Sequence, residues 1–223
     1  MPPSPDPPIP ERHIADSTVR RLSLYLRVLE QAASRGQQTI SSDALAEDGG
    51  TTSAQVRKDL SFFGSFGKRG RGYEVAELVS QLHEILGLGR EWKIYIVGAG
   101  KIGAALVSYG GFSQRGFRVV GIYDNSPQIV GRMIDGVGVR SMSQLERDAA
   151  RERPDIAVIT VPAEHAQEVA DRVVGTNIRA IMNFAPVPIH VPSNVTVKSV
   201  NMALELEGLA YALVHRDAPS GAR

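Results

Sequence analysis

The segment Ile94–Val107, IYIVGAGKIGAALV, constrains the fold of this chain more than any other. A short apolar run of strand length stops at a glycine. Three glycines follow at G-x-G-x-x-G spacing (Gly98, Gly100, Gly103), and an apolar helix pattern begins at once. Each glycine answers a separate demand. The first permits a tight strand-to-helix turn, the second lets backbone approach a pyrophosphate, and the third lets the helix pack close to the strand. Phosphates placed there meet the positive end of the helix dipole. The intervening Ala99, Lys101 and Ile102 complete the loop, so the whole stretch from Gly98 to Gly103 is a candidate cofactor-binding element. A second strand, FRVVGIYD, ends at Asp124, 21 positions after Gly103 (124 − 103). An acid there accepts hydrogen bonds from a ribose 2′-hydroxyl and repels a 2′-phosphate, which favours NAD(H) over NADP(H). Packing alone would explain a glycine turn, and solvation alone would explain a strand-end acid. Neither explains all four residues together.

The rest of the chain after Trp92 keeps the same rhythm. Strands read at KIYIVG, FRVVGIYD, DIAVITVP and RAIMNF, with a weaker pair at DGVGVRS and VTVKSV. Helices read at GKIGAALVSYG, SQLERDAARER and AEHAQEVADRVVG. Strand–helix alternation predicts an α/β domain, a doubly wound parallel sheet of the Rossmann kind. A last amphipathic helix, NMALELEGLAYALVH, follows the final strand.

Before about Gly89 the pattern is helical. DSTVRRLSLYLRVLEQAASRG carries Val19, Leu22, Leu26, Leu29 and Ala33 at i, i+3/i+4 spacing, with Asp16 or Ser17 as N-cap and Gly36 as stop. SSDALAEDGG predicts a short helix capped by Ser42. TTSAQVRKDLSFFG predicts a third, entered through Thr51, Thr52 or Ser53. GSFGKRGRGYEV suits a small hairpin with charge at its tip, and VAELVSQLHEILGLG predicts a fourth helix followed by a hinge.

Between Thr51 and Tyr73 lie five basic residues (Arg57, Lys58, Lys68, Arg69, Arg71) and one acid, Asp59. Net charge over the chain is only +1, so the basic surface is local. Duplex DNA rewards such a concentration through counterion release. The order helix, short helix, glycine turn, helix, basic hairpin predicts a winged helix-turn-helix. Its third helix would enter the major groove with Thr52, Ser53 and Gln55 near base edges and Arg57, Lys58 and Ser61 within reach of bases or phosphates. The wing residues Lys68, Arg69 and Arg71 suit phosphates or a minor groove. Two charges on a helix would ordinarily be a solvated face. The helix order and the glycine-flanked wing favour DNA.

Composition excludes several classes. With 223 residues, 43% hydrophobic, a real core is affordable, and with no cysteine there is no disulfide, thiolate catalysis or cysteine metal site. The opening MPPSPDPPIPER has no apolar core and reads as an extended tail rather than a signal peptide, and no apolar run spans a membrane. A dehydrogenase needs an acid or base over the nicotinamide. Of the five histidines only His165, just after TVPAE, falls at a strand's C-terminal end, and it reads better as an ordinary helix-start residue. No second domain of substrate-binding size is present. Three classes therefore compete: a DNA-binding NAD(H) sensor, an NAD-dependent oxidoreductase with a helical appendage, and a DNA-binding protein whose Rossmann domain only dimerises. The basic wing disfavours the second, and the glycines with Asp124 disfavour the third.

VRKDLSFFGSFGKRGRGY, IVGAGKIGAAL, TVP and NFAPVPIHVPSNVTV together resemble the Rex family of redox-sensing transcriptional repressors, from about Thr18 to His215. The resemblance implies a cytoplasmic homodimer with an N-terminal winged helix, a C-terminal Rossmann domain and a last helix swapped between the partner's two domains. It implies that NADH closes the dimer and releases operator DNA, while NAD+ competes and permits DNA binding. It implies no metal. On this basis the expected domains are residues 17–89 for DNA, 90–199 for NAD(H) and 200–216 for the swapped helix, with tails at 1–16 and 217–223. The resemblance adds Thr160, Val161, Pro162, Asn183 and Phe184 to the cofactor site. It also implies a switch network of Arg27, Tyr109 and the residue that begins the swapped helix. The family usually has aspartate there, in a VD pair; here the pair is VN, with Asn201, followed by Met202 facing the nicotinamide region. Asparagine keeps hydrogen bonding but removes the negative charge that would pair with Arg27. It is also a good helix N-cap.

Overall fold

The computed structural model describes residues 14–67 and 72–215. The expected wing tip (Lys68, Arg69, Arg71) and most of both expected tails lie outside the described residues. The chain divides into two compact units, Met1–Arg90 and Glu91–Arg223.

The first unit is built from α1 (Asp16–Ser34), β1 (Thr39–Ile40), α2 (Ser42–Asp48), α3 (Ser53–Ser61), β2 (Tyr73–Glu74) and α4 (Val75–Ile85). The i, i+3/i+4 face of α1 supplies Leu22, Leu26 and Leu29, which pack with Leu45 of α2, Val56 and Leu60 of α3, and Leu78 and Leu82 of α4. Two local expectations change. α1 begins at Asp16, so the cap position falls on Ala15, with no side-chain cap, rather than on Asp16 or Ser17. α2 is capped by Ser41, whose side chain accepts from the Ala44 amide, rather than by Ser42. β2 pairs antiparallel with Thr39–Ile40, upstream of α2. Thr52 caps α3, accepting from the Gln55 amide.

The second unit holds β3 (Trp92–Val97), α5 (Lys101–Val107), β4 (Phe117–Asp124), β5 (Met133–Ile134), β6 (Val137–Ser141), α6 (Leu145–Glu152), β7 (Ile156–Ile159), α7 (Ala166–Gly175), β8 (Ala180–Asn183), β9 (Thr196–Ser199) and α8 (Met202–His215). Its sheet runs β5-β6-β4-β3-β7-β8-β9 and is parallel except for β5. Both faces of the central strands are covered, which is why they read as unbroken apolar runs. The short antiparallel β5 was not expected. It joins β6 through Asp135 and Gly136, both at positive φ (45° and 79°), as a two-residue Asp-Gly hairpin turn requires.

A cluster of charge lies against this core. Arg140 on β6 reaches Asp148 and Glu152 of α6, the Tyr123 hydroxyl and the Val120 carbonyl. The Tyr95 hydroxyl donates to Glu152, and burial together with that bond pushes it far above the ordinary phenol range.

The last helix departs from expectation. None of α8 is buried, and Met202, Leu204, Leu206, Leu209, Tyr211, Leu213 and Val214 are all more than half exposed. At about 100° per residue these side chains form two stripes on opposite sides, Met202/Leu206/Leu209/Leu213 and Leu204/Tyr211/Val214. A single-faced amphipathic helix would show one. Two opposite stripes suit a helix inserted between two apolar surfaces.

Candidate cofactor cleft and nucleic-acid interface

The glycine loop is shaped by three different constraints. Gly98 has φ +101°, and a Cβ there would sit 2.8 Å from the Thr160 carbonyl oxygen. A Cβ on Gly103 would lie 1.9 Å from the Gly98 carbonyl oxygen, so nothing larger fits between helix and strand. A Cβ on Gly100 would meet nothing within 4 Å. That open approach, at the residue that precedes α5, is where backbone can meet a phosphate. The Thr160 hydroxyl lies 2.7 Å from the Gly98 carbonyl and 3.1 Å from that of Val97, tying the loop to the neighbouring strand end.

Asp124 ends β4 beside this loop. One carboxylate oxygen accepts from the Ala99 amide at 2.8 Å and the other from the Ser126 amide at 2.7 Å. Each oxygen retains a lone pair for a ribose hydroxyl. A cleft of about 430 Å³ opens at the C-terminal ends of β3, β4 and β7, the usual ligand edge of a doubly wound sheet. It brings together Gly98, Gly100, Asp124, Thr160, Val161 and Pro162 of the expected set. His165 also lines it, with Ile129, Met142, Val169, Glu168 and Arg172. The last five escaped sequence reasoning; they come from loop and helix positions with no motif of their own.

The remaining expected cofactor residues are placed elsewhere. The Ala99 side chain is buried, and its amide serves Asp124. Lys101 and Ile102 are exposed at the start of α5. Asn183 is buried and spends its amide inside its own loop, donating to the Val187 carbonyl and accepting from the Ala185 amide. Phe184 packs on the core face that holds Ile94 and Ile96. Tyr109 is 57% exposed, edge-on to Phe112, and Met202 is 60% exposed. Asn201 caps α8, its side-chain oxygen accepting from the Ala203 amide at 3.0 Å. Arg27 is exposed on α1. The described residues contain no cluster able to hold a metal ion.

In the first unit, α3 turns Thr52, Arg57, Lys58 and Ser61 outward, and Ala54 with them. Arg57 is steadied by donating to Ser42 on α2 at 2.8 Å. Ser53 and Gln55 are half-buried. Gln55 points inward and donates to Asp59 at 2.7 Å. Asp59, the single acid of the basic stretch, is fully buried. It receives the Arg21 guanidinium (Nε at 2.6 Å, Nη2 at 2.8 Å) and the Tyr25 hydroxyl at 2.9 Å. Burial alone would raise its pKa, but the bonds from Arg21, Gln55 and Tyr25 outweigh that and hold the carboxyl below its ordinary range. Burial and the same carboxylate push Tyr25 up to about 12. One signal in the sequence marks Asp59: it shares the inward phase of Val56 and Leu60.

A Rossmann unit with an open phosphate approach, joined to a helix-turn-helix unit with basic residues on its third helix, defines the class of nucleotide-binding transcription factors. Comparison with known proteins narrows this. Residues 89–187 match the family model described as CoA binding domain, and residues 13–61 match that described as putative DNA-binding protein N-terminus. The redox-sensing transcriptional repressor Rex of Desulfitobacterium hafniense is 43% identical over 92% of this chain and 98% of its own. That of Streptomyces coelicolor is 44% identical over 90% of this chain and 78% of its own. Among solved structures, RSP in complex with β-NAD+ and operator DNA superposes with a TM-score of 0.87 at 36% identity, covering 93% of this chain and 96% of that one. RSP in complex with β-NADH gives 0.84 at 35% identity, covering 93% and 98%. The chain belongs to the Rex family of redox-sensing transcriptional repressors.

Proposed function

We propose that this protein binds operator DNA through its first unit, binds NAD(H) in the cleft of its second, and leaves the DNA when NADH replaces NAD+. It is a regulator and not an enzyme. The observation that carries the reading is the open approach to Gly100 beside the Asp124 carboxylate. There the chain leaves room for a pyrophosphate and offers an acceptor for a ribose hydroxyl. The residues fit a dinucleotide: Gly98 and Gly103 shape the loop, Thr160 fixes it, and Asp124 disfavours a 2′-phosphate. NAD(H) supplies the redox signal as a cationic, flat ring or a neutral, puckered one.

The division near Arg90 supports residues 17–89 as the DNA-binding domain and 90–199 as the NAD(H) domain. On this reading α3 lies in the major groove, with Arg57 and Lys58 toward the duplex, Thr52, Ser53 and Ser61 near it, and Lys68, Arg69 and Arg71 on the wing. Lys101, Ile102, Val161, Pro162, Phe184 and Met202 complete the cofactor's surroundings. The two stripes of α8 support a homodimer in which residues 200–216 insert between the domains of a second copy. Arg27, Tyr109 and Asn201 form the switch network. Asn201 brings no charge to it, so redox discrimination here rests on hydrogen bonding and on ring contacts at Met202. Among the described residues no helix is long and apolar enough to cross a membrane, and we place the protein in the cytoplasm with its DNA.

An allosteric coupling of about 1–3 kcal/mol, roughly 5–150-fold, suffices to change operator occupancy, and it is reciprocal. The test is a mobility shift on DNA from upstream of the protein's own gene, with NAD+ or NADH added, paired with NADH titration in the presence of that DNA. NADH should weaken DNA binding, and DNA should weaken NADH binding by the same factor. Unchanged NADH affinity on saturating operator would sink the coupling.

A further inference from the structure

Arg21 on α1 is held in an unusual way. Its Nε and Nη2 fork onto Asp59, and Nη2 also donates to the Thr18 hydroxyl at 3.1 Å. With Tyr25 and Gln55 added, Asp59 receives four donors, two on each oxygen. That saturates the lone pairs of an ionised carboxylate and fixes the plane of the guanidinium. The remaining nitrogen, Nη1, points away from the carboxylate and donates to none of the described residues. The side chain is 25% exposed, so part of it reaches solvent. Arg140 in the second unit makes the contrast. At a similar 29% exposure it turns Nη1 inward onto Tyr123, Asp148 and Glu152, and Nη2 onto the Val120 carbonyl. One arginine spends both terminal nitrogens on a core; the other leaves one nitrogen outside its rigid fork.

The anchor of that fork is α3 itself. Asp59 directly follows Lys58 and lies two residues past Arg57, and Gln55, which shares the carboxylate, sits in the first turn of the helix. Wherever α3 rests on a duplex, Arg21 Nη1 is carried with it. We propose that Arg21 is a phosphate-contacting residue of the DNA interface, its Nη1 donating to a backbone phosphate oxygen beside the groove that α3 enters. A guanidinium already fixed by a carboxylate loses little side-chain freedom on making such a bond. Asp59 already balances its charge, so the contact adds a hydrogen bond while releasing little counterion. This rests on the DNA-binding reading above.

The experiment uses the full-length protein with NAD+ and a duplex of the sequence that the wild type selects from a random library. Backbone phosphates are replaced one at a time by neutral methylphosphonates, and wild type, Arg21→Gln, Arg21→Lys and Arg57→Ala are titrated on each duplex. One phosphate per half-site should cost the wild type roughly tenfold, the size expected of a charge-assisted hydrogen bond, and cost Arg21→Gln almost nothing. The salt slope of Arg21→Gln should match the wild type, whereas that of Arg57→Ala should fall by about one. If Arg21→Gln melts too low to assay, Arg21→Lys, which keeps the charge against Asp59 but not the planar fork, carries the same comparison. Equal sensitivity of wild type and variants at every phosphate would overturn the contact and leave Arg21 as a brace of α3. A wild type that selects no sequence would overturn the DNA-binding reading itself.

Discussion

The two candidate sites are fixed by opposite means. The cofactor loop is held by backbone: what matters at Gly98 and Gly103 is a missing Cβ, and the nearest threats are carbonyl oxygens. The helix proposed to face DNA is held by charge: α3 is moored through one buried carboxylate that gathers donors from α1 and from its own first turn. A loop shaped by missing Cβ atoms fails through bulk. A helix moored by a buried ion cluster fails through lost charge and is sensitive to acid.

Gly103→Val should show the largest effect. With a Cβ 1.9 Å from the Gly98 oxygen, loop and helix cannot both keep their places, and NADH binding by calorimetry should fall by more than about 100-fold, the scale of severe overpacking or backbone strain. Wild-type NADH affinity in this variant would break the contrast. Asp59→Asn should come next. Breaking a buried ion pair costs about 3–5 kcal/mol, read as a lower melting temperature at pH 7. The Asp59 pKa is lower folded than unfolded, so its stabilisation is complete above the ordinary carboxylate range. It disappears as pH falls through the folded value. The melting gap between wild type and Asp59→Asn should therefore narrow below about pH 4, and a pH-independent gap would remove the ionic account.

Asp124→Ala sharpens the comparison, because it removes a charge from the backbone-built site. NADH should bind about 10–100-fold more weakly, the value of a hydrogen bond to a charged group, while DNA binding without NADH holds. The reverse ranking would end its ribose role. The smallest effects belong to Arg57→Ala and Lys58→Ala, each reducing the salt slope of DNA binding by about one.

Legibility followed the same division. The glycine loop, the doubly wound parallel sheet around it and the place of Asp124 at the end of β4 could be read because each glycine had few reasons to be there. The outward phase of α3 was legible, yet Gln55 turned inward, since its partner Asp59 is claimed by residues 38 and 34 positions away. No local pattern announces such a pairing. β5 had its signal, Asp135-Gly136, but two residues of strand are too short for periodicity to show. The pairing of β2 with Thr39–Ile40 depends on a tertiary neighbour, and the two stripes of α8 appear only when its residues are placed around a helix.

That last helix also sets how the molecule answers to dilution. In the homodimer proposed above, a second copy would cover α8, so part of the free energy of folding would come from association and the native state would gain weight by mass action. On that proposal the melting temperature would climb with protein concentration, and a scarce repressor would be a less durable one. The cell's stock of the protein thus bears on its survival before any cofactor is bound.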